Sequence, residues 1–551
     1  MRIDIYPEKA QYRTMEPITL IIERDGAWKP GAFAMLRITR LESLVYEEKL
    51  ELPLQTNRIT IPGMDTEFGG FGVFLQVSGD GGMRSFHTAF DVVIDCSRAI
   101  RYGFLSDFHT EDGEDCRDVS NLRKFHINMV QYYDWSYRHD CLVSRETRYR
   151  DMMGREVDLD TVRKKIAACK EFGMKSIGYG AVYAASREYY EKHREEALYT
   201  SAGDPLVFID TFYIMNVAGA SDWRWHIIEE YVKAVSEVGF DGIHMDTYGF
   251  PKTAYSWQKE QRIRLEQEYP TLINDTKARL NEITPDNHLI FNNVGNWPVG
   301  TVADTLQDAV YIEVWEPYIR YHHIKQIISD AKRECKHQKP VILAAYLSPF
   351  RTDTMEQAAH SAYLLTAAVT VCGAYHLLLG EENAVLTQGY YVDHSKLTAP
   401  VTARLRSYYD FLVRYMELFH DEELVDVSMT HMSWDNTEYR CFHKAWSVDA
   451  EPDKVWITVR EKENRKLISL VNLCGNDNEW NRGKAQPILQ QGIRMQVQID
   501  QPIRGLYYIS PEDNHGEPRL LSYENVPTDR GRTVMFEIPQ LELWGNVWID
   551  F

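Results

Sequence analysis

Two carboxylates, Asp246 and Glu313, each stand at the end of a short apolar run, and a pair of acids so placed can cleave a glycosidic bond. One acid attacks the sugar or activates water while the other protonates the leaving oxygen. In the stretch Asp241-Gly-Ile-His-Met-Asp-Thr-Tyr-Gly249, Ile243 and Met245 fall on one side of an extended chain and Gly242, His244 and Asp246 on the other. In Val310-Tyr-Ile-Glu-Val-Trp-Glu-Pro317, Val310, Ile312 and Val314 share one face and Tyr311, Glu313 and Trp315 share the other. Glu313 therefore has the parity of Asp246. Glu316 has the opposite parity and abuts Pro317, where a strand must already have ended. Either acid alone could as well cap a helix or form an ion pair. Together, on alternate strands with another strand candidate between them, they fit a shared cleft.

The elements that would position these acids alternate as short apolar strands and amphipathic helices from about 99 to 420, the pattern of parallel βα units. Strands are expected at Tyr102 to Asp107, Asn128 to Tyr133, Ser176 to Tyr179, Gly242 to Asp246, Leu289 to Asn292, Val310 to Glu313, Val341 to Ala345 and Ala374 to Leu378. Eight closes a (β/α)8 TIM barrel, with Asp246 and Glu313 facing the lumen and catalysis at the carboxyl ends of the strands. Before Gly239, apolar residues Trp225, Ile227, Ile228, Tyr231, Val232, Val235 and Val238 recur at helical spacing. Pro205 to Tyr213 also looks extended but has no helix before it, and is expected to be part of a long catalytic-face loop. Residues 1–98 alternate apolar and polar in short runs between turns, which predicts an N-terminal Ig-like β-sandwich. Residues 421–551 return to short strands and predict a C-terminal antiparallel β-sandwich. The expected organisation is multidomain, with a central barrel, 99–420, between two β-sandwiches.

Other strand ends populate the catalytic face. Asp107 ends the first strand; Tyr133, Asp134 and Trp135 lie in the dense run Gln131-Tyr-Tyr-Asp-Trp-Ser-Tyr-Arg-His139; Tyr179, Asn293, Trp315, Tyr346 and His376 sit on or just after later strands. Flat aromatic faces can stack on pyranose rings while polar groups take the hydroxyls, so these residues are candidate sugar contacts. Any one of the aromatics could instead be core. His244 reads as a hydrogen-bond partner or hydroxyl contact rather than a metal ligand.

Composition narrows the partners. The 551 residues carry 61 basic and 81 acidic side chains for a net charge of −20, spread along the chain, which argues against nucleic acid and anionic membrane and is neutral toward an uncharged sugar. The eight cysteines show no metal-binding spacing and read as reduced, mostly buried thiols. The chain opens without an apolar secretory segment, so a cytoplasmic location is expected unless a leader was removed, and no apolar run reaches membrane-spanning length. No cofactor or catalytic metal is called for, no EF-hand spacing argues for calcium, and oligomeric state is left open.

The blocks Tyr102-Gly-Phe-Leu-Ser-Asp-Phe108, Gln131-Tyr-Tyr-Asp-Trp135 with Arg138-His139, Gly239-Phe-Asp-Gly-Ile-His-Met-Asp246 and Tyr311-Ile-Glu-Val-Trp315, in this order, resemble glycoside hydrolase family 66, along essentially the whole chain. That family contains dextranases and cycloisomaltooligosaccharide glucanotransferases. The resemblance implies a retaining mechanism on an α-1,6-linked glucan, dextran or isomaltooligosaccharide, with Asp246 as nucleophile and Glu313 as acid/base. Cyclising members carry an additional carbohydrate-binding module inserted within the barrel; no such block interrupts the strands here, which favours hydrolysis. Dextranases of the family are usually exported, so the missing leader points toward imported isomaltooligosaccharides. A cyclising transferase, another α-glycosidase with the same acid geometry, and a catalytically silent carbohydrate-binding protein are the alternatives.

Overall fold

The computed structural model describes residues 3–28, 31–53, 57–79, 82–432 and 435–551. Eight parallel strands form its centre: β1 (Tyr102–Leu105), β2 (Met129–Tyr132), β3 (Lys175–Ala181), β4 (Gly242–Asp246), β5 (His288–Val294), β6 (Ala309–Glu313), β7 (Val341–Ala344) and β8 (Tyr375–His376). They are hydrogen-bonded in chain order. The ring is joined where Phe104 pairs with Gly380 and its main-chain N–H donates to Leu379 O at 3.2 Å. Each of the eight expected strands is present. The first stops at Leu105 rather than Asp107, and the last is only two residues long. Around the ring run α1 (Arg117–Lys124), α2 (Leu159–Glu171), α3 (Asp222–Lys233), α4 (Leu265–Asn281), α5 (Val299–Val302), α6 (Tyr321–Glu334), α7 (Met355–Val371) and α8 (Ala399–Arg414). This is a TIM barrel.

The alternation along each strand decides what fills the two layers. Ile243, Met245, Val310 and Ile312 belong to the apolar layer shared with Ile227, Tyr231, Ile324 and Ile327 of the helices. Tyr102, Met129, Ile177, Ile290, Tyr311 and Ile342 form a separate cluster that fills the lumen beneath the strand ends. Burying each such side chain stabilises the fold by roughly 1.5–3 kcal/mol. Gly242 marks the tightest approach, since a Cβ there would press into the main chain of His288 on the neighbouring strand. Gly242→Ala is therefore expected to lower stability by about 3 kcal/mol or more, read as a drop in the thermal midpoint. An unchanged midpoint would show that β4 and β5 can part without cost.

The helix before β4 differs from its sequence reading in one respect. Trp225 is 50% exposed, and Trp223, at 0%, is the tryptophan that faces the core. The last turn widens into a π segment over Ala234–Val238 before Gly239, at φ 101°, ends it. Pro205 to Tyr213 is not a plain loop: Val207–Phe208 and Phe212–Ile214 pair as a hairpin and join Ala184–Ala185 in a small sheet inserted between β3 and α3.

Two arrangements of mainly antiparallel strands flank the ring. On the N-terminal side, a sheet of Ile3–Pro7, Ile18–Arg24 and Arg58–Ile61 shares one apolar core, including Leu20, Leu36, Val73 and Phe90, with a five-stranded sheet running through Phe33–Arg40, Phe68–Gly79 and Gly82–Val93. On the C-terminal side, the sheet containing Val455–Lys462, Arg465–Asn472 and Trp544–Asp550 shares its core with one containing Gln490–Gln498 and Gly531–Leu541. A loop of this C-terminal part clasps the chain after β6. Trp480 Nε1 donates to Tyr318 O at 2.7 Å, its main-chain N–H donates to Ile319 O at 3.1 Å, and Tyr321 N–H donates to Asn478 O at 3.0 Å. All eight cysteines are free thiols; three are buried, four half-buried and Cys141 exposed, so "mostly buried" overstates their enclosure.

Candidate active site

The carboxyl ends of β2 to β7 open into a cleft of about 330 Å³, and both acids stand in it. Tyr179 O–H donates to Asp246 Oδ2 at 2.6 Å. Asn292 Nδ2 donates to Asp246 Oδ1 at 2.6 Å and to Glu313 Oε2 at 3.2 Å, so it bridges the pair. Those two oxygens can be no farther apart than about 5.8 Å, the two bonds laid end to end. Tyr346 O–H donates to Glu313 Oε1 at 2.5 Å. Glu316 is exposed and precedes a cis proline, outside the cleft.

Of the other residues singled out in the sequence, the fold brings Tyr133, Asp134, Tyr179, His244, Trp315 and Tyr346 to the cleft. Tyr133 stacks on Tyr391 with ring centres 4.4 Å apart. His244 lies on the floor, its Nδ1 3.0 Å from Tyr102 O–H, and burial pushes its pKa down to about 3, so it is a neutral ring. Trp315 is 43% exposed at the rim, edge-on to Tyr346. Four residues lie elsewhere. Trp135 is fully buried behind β3, donating to Tyr179 O at 3.1 Å and packing on Phe240. Asn293 points into the helical layer and donates to Tyr311 O at 2.8 Å; the lumen-facing asparagine is Asn292, one position earlier. His376 shares a small cavity with Thr366, Thr370 and Tyr409 outside the strand ring. Asp107 follows the end of β1 and faces Glu381 and His394 rather than the cleft.

Several cleft residues escaped the sequence reading. Asn292 and Gln131 have lumen parity and were open to the same rule that found the acids. Phe208, Phe212 and Tyr248 come from the inserted hairpin and the loop after β4, and Tyr390 and Tyr391 from the long connection between β8 and α8, where no periodicity guides assignment. Gly389 in that connection lets the chain pass close, since a Cβ there would stand 3.3 Å from Glu313 Oε1.

Electrostatics single out the same pair. Burial, with the facing Glu313, pushes Asp246 up to about 7, partly offset by the bonds from Asn292 and Tyr179. Burial also raises Glu313, against the opposing bonds from Tyr346 and Asn292. Two acids so close titrate as a coupled pair. Asp134, held at φ 51° in the left-handed region, is pushed to about 7 by burial, with Arg155 acting against the shift. Off the cleft, Asp107, Glu381 and His394 each offer a ligand atom within 4.8 Å of the others and could hold a cation. Ser106 already donates to Glu381 through both its N–H and its hydroxyl.

The family model for glycosyl hydrolase family 66 matches residues 7–548. The chain belongs to this family. Among its relatives, a cycloisomaltooligosaccharide glucanotransferase of Niallia circulans is 22% identical over 99% of this chain and 71% of its own. A dextranase of Streptococcus salivarius is 22% identical over 60% of this chain and 46% of its own. The crystal structure of a Paenibacillus sp. cycloisomaltooligosaccharide glucanotransferase complexed with cycloisomaltoheptaose superposes with a TM-score of 0.88 at 22% identity, covering 99% of both chains. As a family 66 member the protein is an enzyme of the glycoside hydrolase class, and its fold is that of the glucanotransferase structure. Its cleft holds a close acid pair, donors fixed on each acid, and aromatic walls. Gln131 Oε1, Asn292 Oδ1 and His139 Nδ1 are buried beside the cleft without a hydrogen-bond partner in the protein.

Proposed function

We propose that the protein is a retaining glycoside hydrolase that cleaves α-1,6-glucosidic links of dextran or isomaltooligosaccharides. The observation that supports the retaining reading is the Asn292 bridge: one amide N–H group bonds both acids, which limits Asp246 Oδ1 and Glu313 Oε2 to about 5.8 Å of each other at most. Retention calls for carboxyl groups about 5–5.5 Å apart, inversion for roughly 6.5–9.5 Å so that a water fits between acid and sugar. In the reactive form of the coupled pair the proton sits on Glu313: Asp246, ionised and held by Tyr179 and Asn292, attacks the anomeric carbon while Glu313 delivers its proton to the departing O6. In the second half Glu313, now ionised, activates water, which releases the sugar with its original anomeric configuration. The α-1,6-glucan assignment rests on the dextranase and glucanotransferase relatives.

Hydrolysis is favoured over cyclisation. The glucanotransferase alignment runs over 714 positions against a chain of 551, so the relative carries inserted sequence that this chain lacks. Chromatography of a dextran digest is expected to show short linear isomaltooligosaccharides early, and proton NMR of fresh product to show the α-anomer first. β-Anomer as first product would replace the nucleophile by an inverting base. Cleavage of oligomers but not of dextran would fit an intracellular trimming enzyme, and no cleavage of either would return the assignment to another α-glycosidase.

A further inference from the structure

At the tip of the inserted hairpin, Ile209-Asp210-Thr211 connects Phe208 to its cross-strand partner Phe212. Thr211 N–H donates to Phe208 O at 3.1 Å, and Ile209 and Asp210 have φ of 46° and 58°. Two successive positive φ angles are the mark of a type I′ turn, which favours asparagine or glycine at both central positions. Isoleucine suits the first of them poorly, because both Cβ branches crowd the main chain when φ is positive. Burial does not offset the strain: Ile209 is 53% exposed. Its side chain lines the cleft, beside the wall where Phe208 stacks on Tyr248 with ring centres 4.4 Å apart.

A β-branched residue held in the left-handed region, without burial, at the rim of a cleft, is strain in search of a use. We propose that Ile209 is a substrate-contacting residue that presses on the C–H face of a sugar unit beyond the one attacked, and so sets the preference for longer chains. This rests on the α-1,6-glucan reading above. The acids sit on the floor at the ends of β4 and β6, with Asp246 only 9% exposed, whereas Ile209 stands at the mouth. Its apolar side chain can pack on the ring of a bound pyranose, and the rigid tip holds it there with no ordering cost when substrate arrives.

The test compares wild type with Ile209→Asn and Ile209→Ala on isomaltooligosaccharides from trimer to heptamer, with thermal melting alongside. Asparagine accepts the left-handed backbone and removes the contact, so Ile209→Asn is expected to melt higher than wild type. Ile209→Ala removes the contact while leaving much of the strain. Both are expected to raise KM for the longest substrates about three- to tenfold, with kcat within twofold and the shortest cleaved substrate unaffected. KM within twofold of wild type along the whole series overturns the proposal whichever way melting moves. So does a KM raised equally for short and long chains, because the side chain would then act at the attacked unit, and so does an Ile209→Asn variant that melts lower. A wild-type protein that leaves the whole series uncut removes the glucan reading and this role together, an outcome distinct from all the others.

Discussion

Asp246→Asn is expected to abolish turnover, lowering kcat by about 10⁴-fold or more, because the amide cannot form the glycosyl intermediate while the rest of the cleft stays in place. The same substitution is expected to make the protein more stable at neutral and alkaline pH, and the sign follows from the shift. An aspartate free in the unfolded chain titrates near 3.8, whereas burial and Glu313 push Asp246 to about 7 in the fold. Between these values the unfolded chain gives up a proton that the folded protein keeps, so the aspartate erodes stability as pH rises from about 4 to 7, and the loss is complete above that. Asparagine carries no such burden. Melting of the variant and wild type should coincide near pH 4 and diverge by pH 8, the variant higher. A variant that melts lower at pH 8 would mean that the bonds from Tyr179 and Asn292 stabilise the carboxylate by more than its desolvation costs.

Glu313→Gln separates the two acids by leaving group and by pH. Protonation of the departing oxygen contributes about 10²–10⁴-fold, so activity on isomaltooligosaccharides should fall by that much. An aryl glucoside whose leaving group needs no proton should still be attacked. Because the basic limb of the wild type is the loss of the Glu313 proton, the substitution should also remove that limb from the residual activity. A basic limb that stays in place would assign it to a group other than Glu313.

The barrel and its acids were legible because they obey the simplest periodicity a chain can have. A two-residue alternation over five residues put Asp246 and Glu313 in the lumen, and the ring of eight strands came from counting such runs. The misses have equally physical causes. Asn293 reads from the sequence as a strand-end residue, but the parity that puts the acids in the lumen selects Asn292; β5 continues to Val294, and the alternation holds along its length. Trp225 fits the helical period as well as Trp223 does, but a three- or four-residue spacing defines a stripe wide enough that its edge can be solvent. Trp135 reads as a sugar contact from the aromatic run around it, yet it is fully buried, because aromatic density alone does not distinguish a wall from a core. Tyr390 and Tyr391 reach the cleft from a connection fixed by contacts distant in sequence, such as the 2.8 Å bond between the hydroxyls of Tyr391 and Tyr311. No local pattern encodes that.

Asn292 bears most directly on whether the pair works as a unit, and Asn292→Ala is expected to cost about 10²–10³-fold in kcat. Only an N–H can meet two carboxylate oxygens, so the orientation of the amide is fixed by its bonds to Asp246 and Glu313. Its Oδ1 is then left buried without a protein partner. A sugar hydroxyl donating to it would be polarised as positive charge develops on the ring, and hydrogen bonds of that kind strengthen in the oxocarbenium-like transition state. Alanine loses both ends at once. The bond from Asn292 lowers the pKa of each acid, so its loss should move both limbs of the pH–rate profile to higher pH, the acid limb through Asp246 and the basic limb through Glu313. Asn292→Asp should move them further in the same direction, since a third carboxyl adds repulsion where a donor stood. If Asn292→Ala lowers kcat while both limbs stay put, the residue acts on the substrate alone; if the limbs move with little loss of kcat, the bridge tunes the acids and the hydroxyl contact is absent.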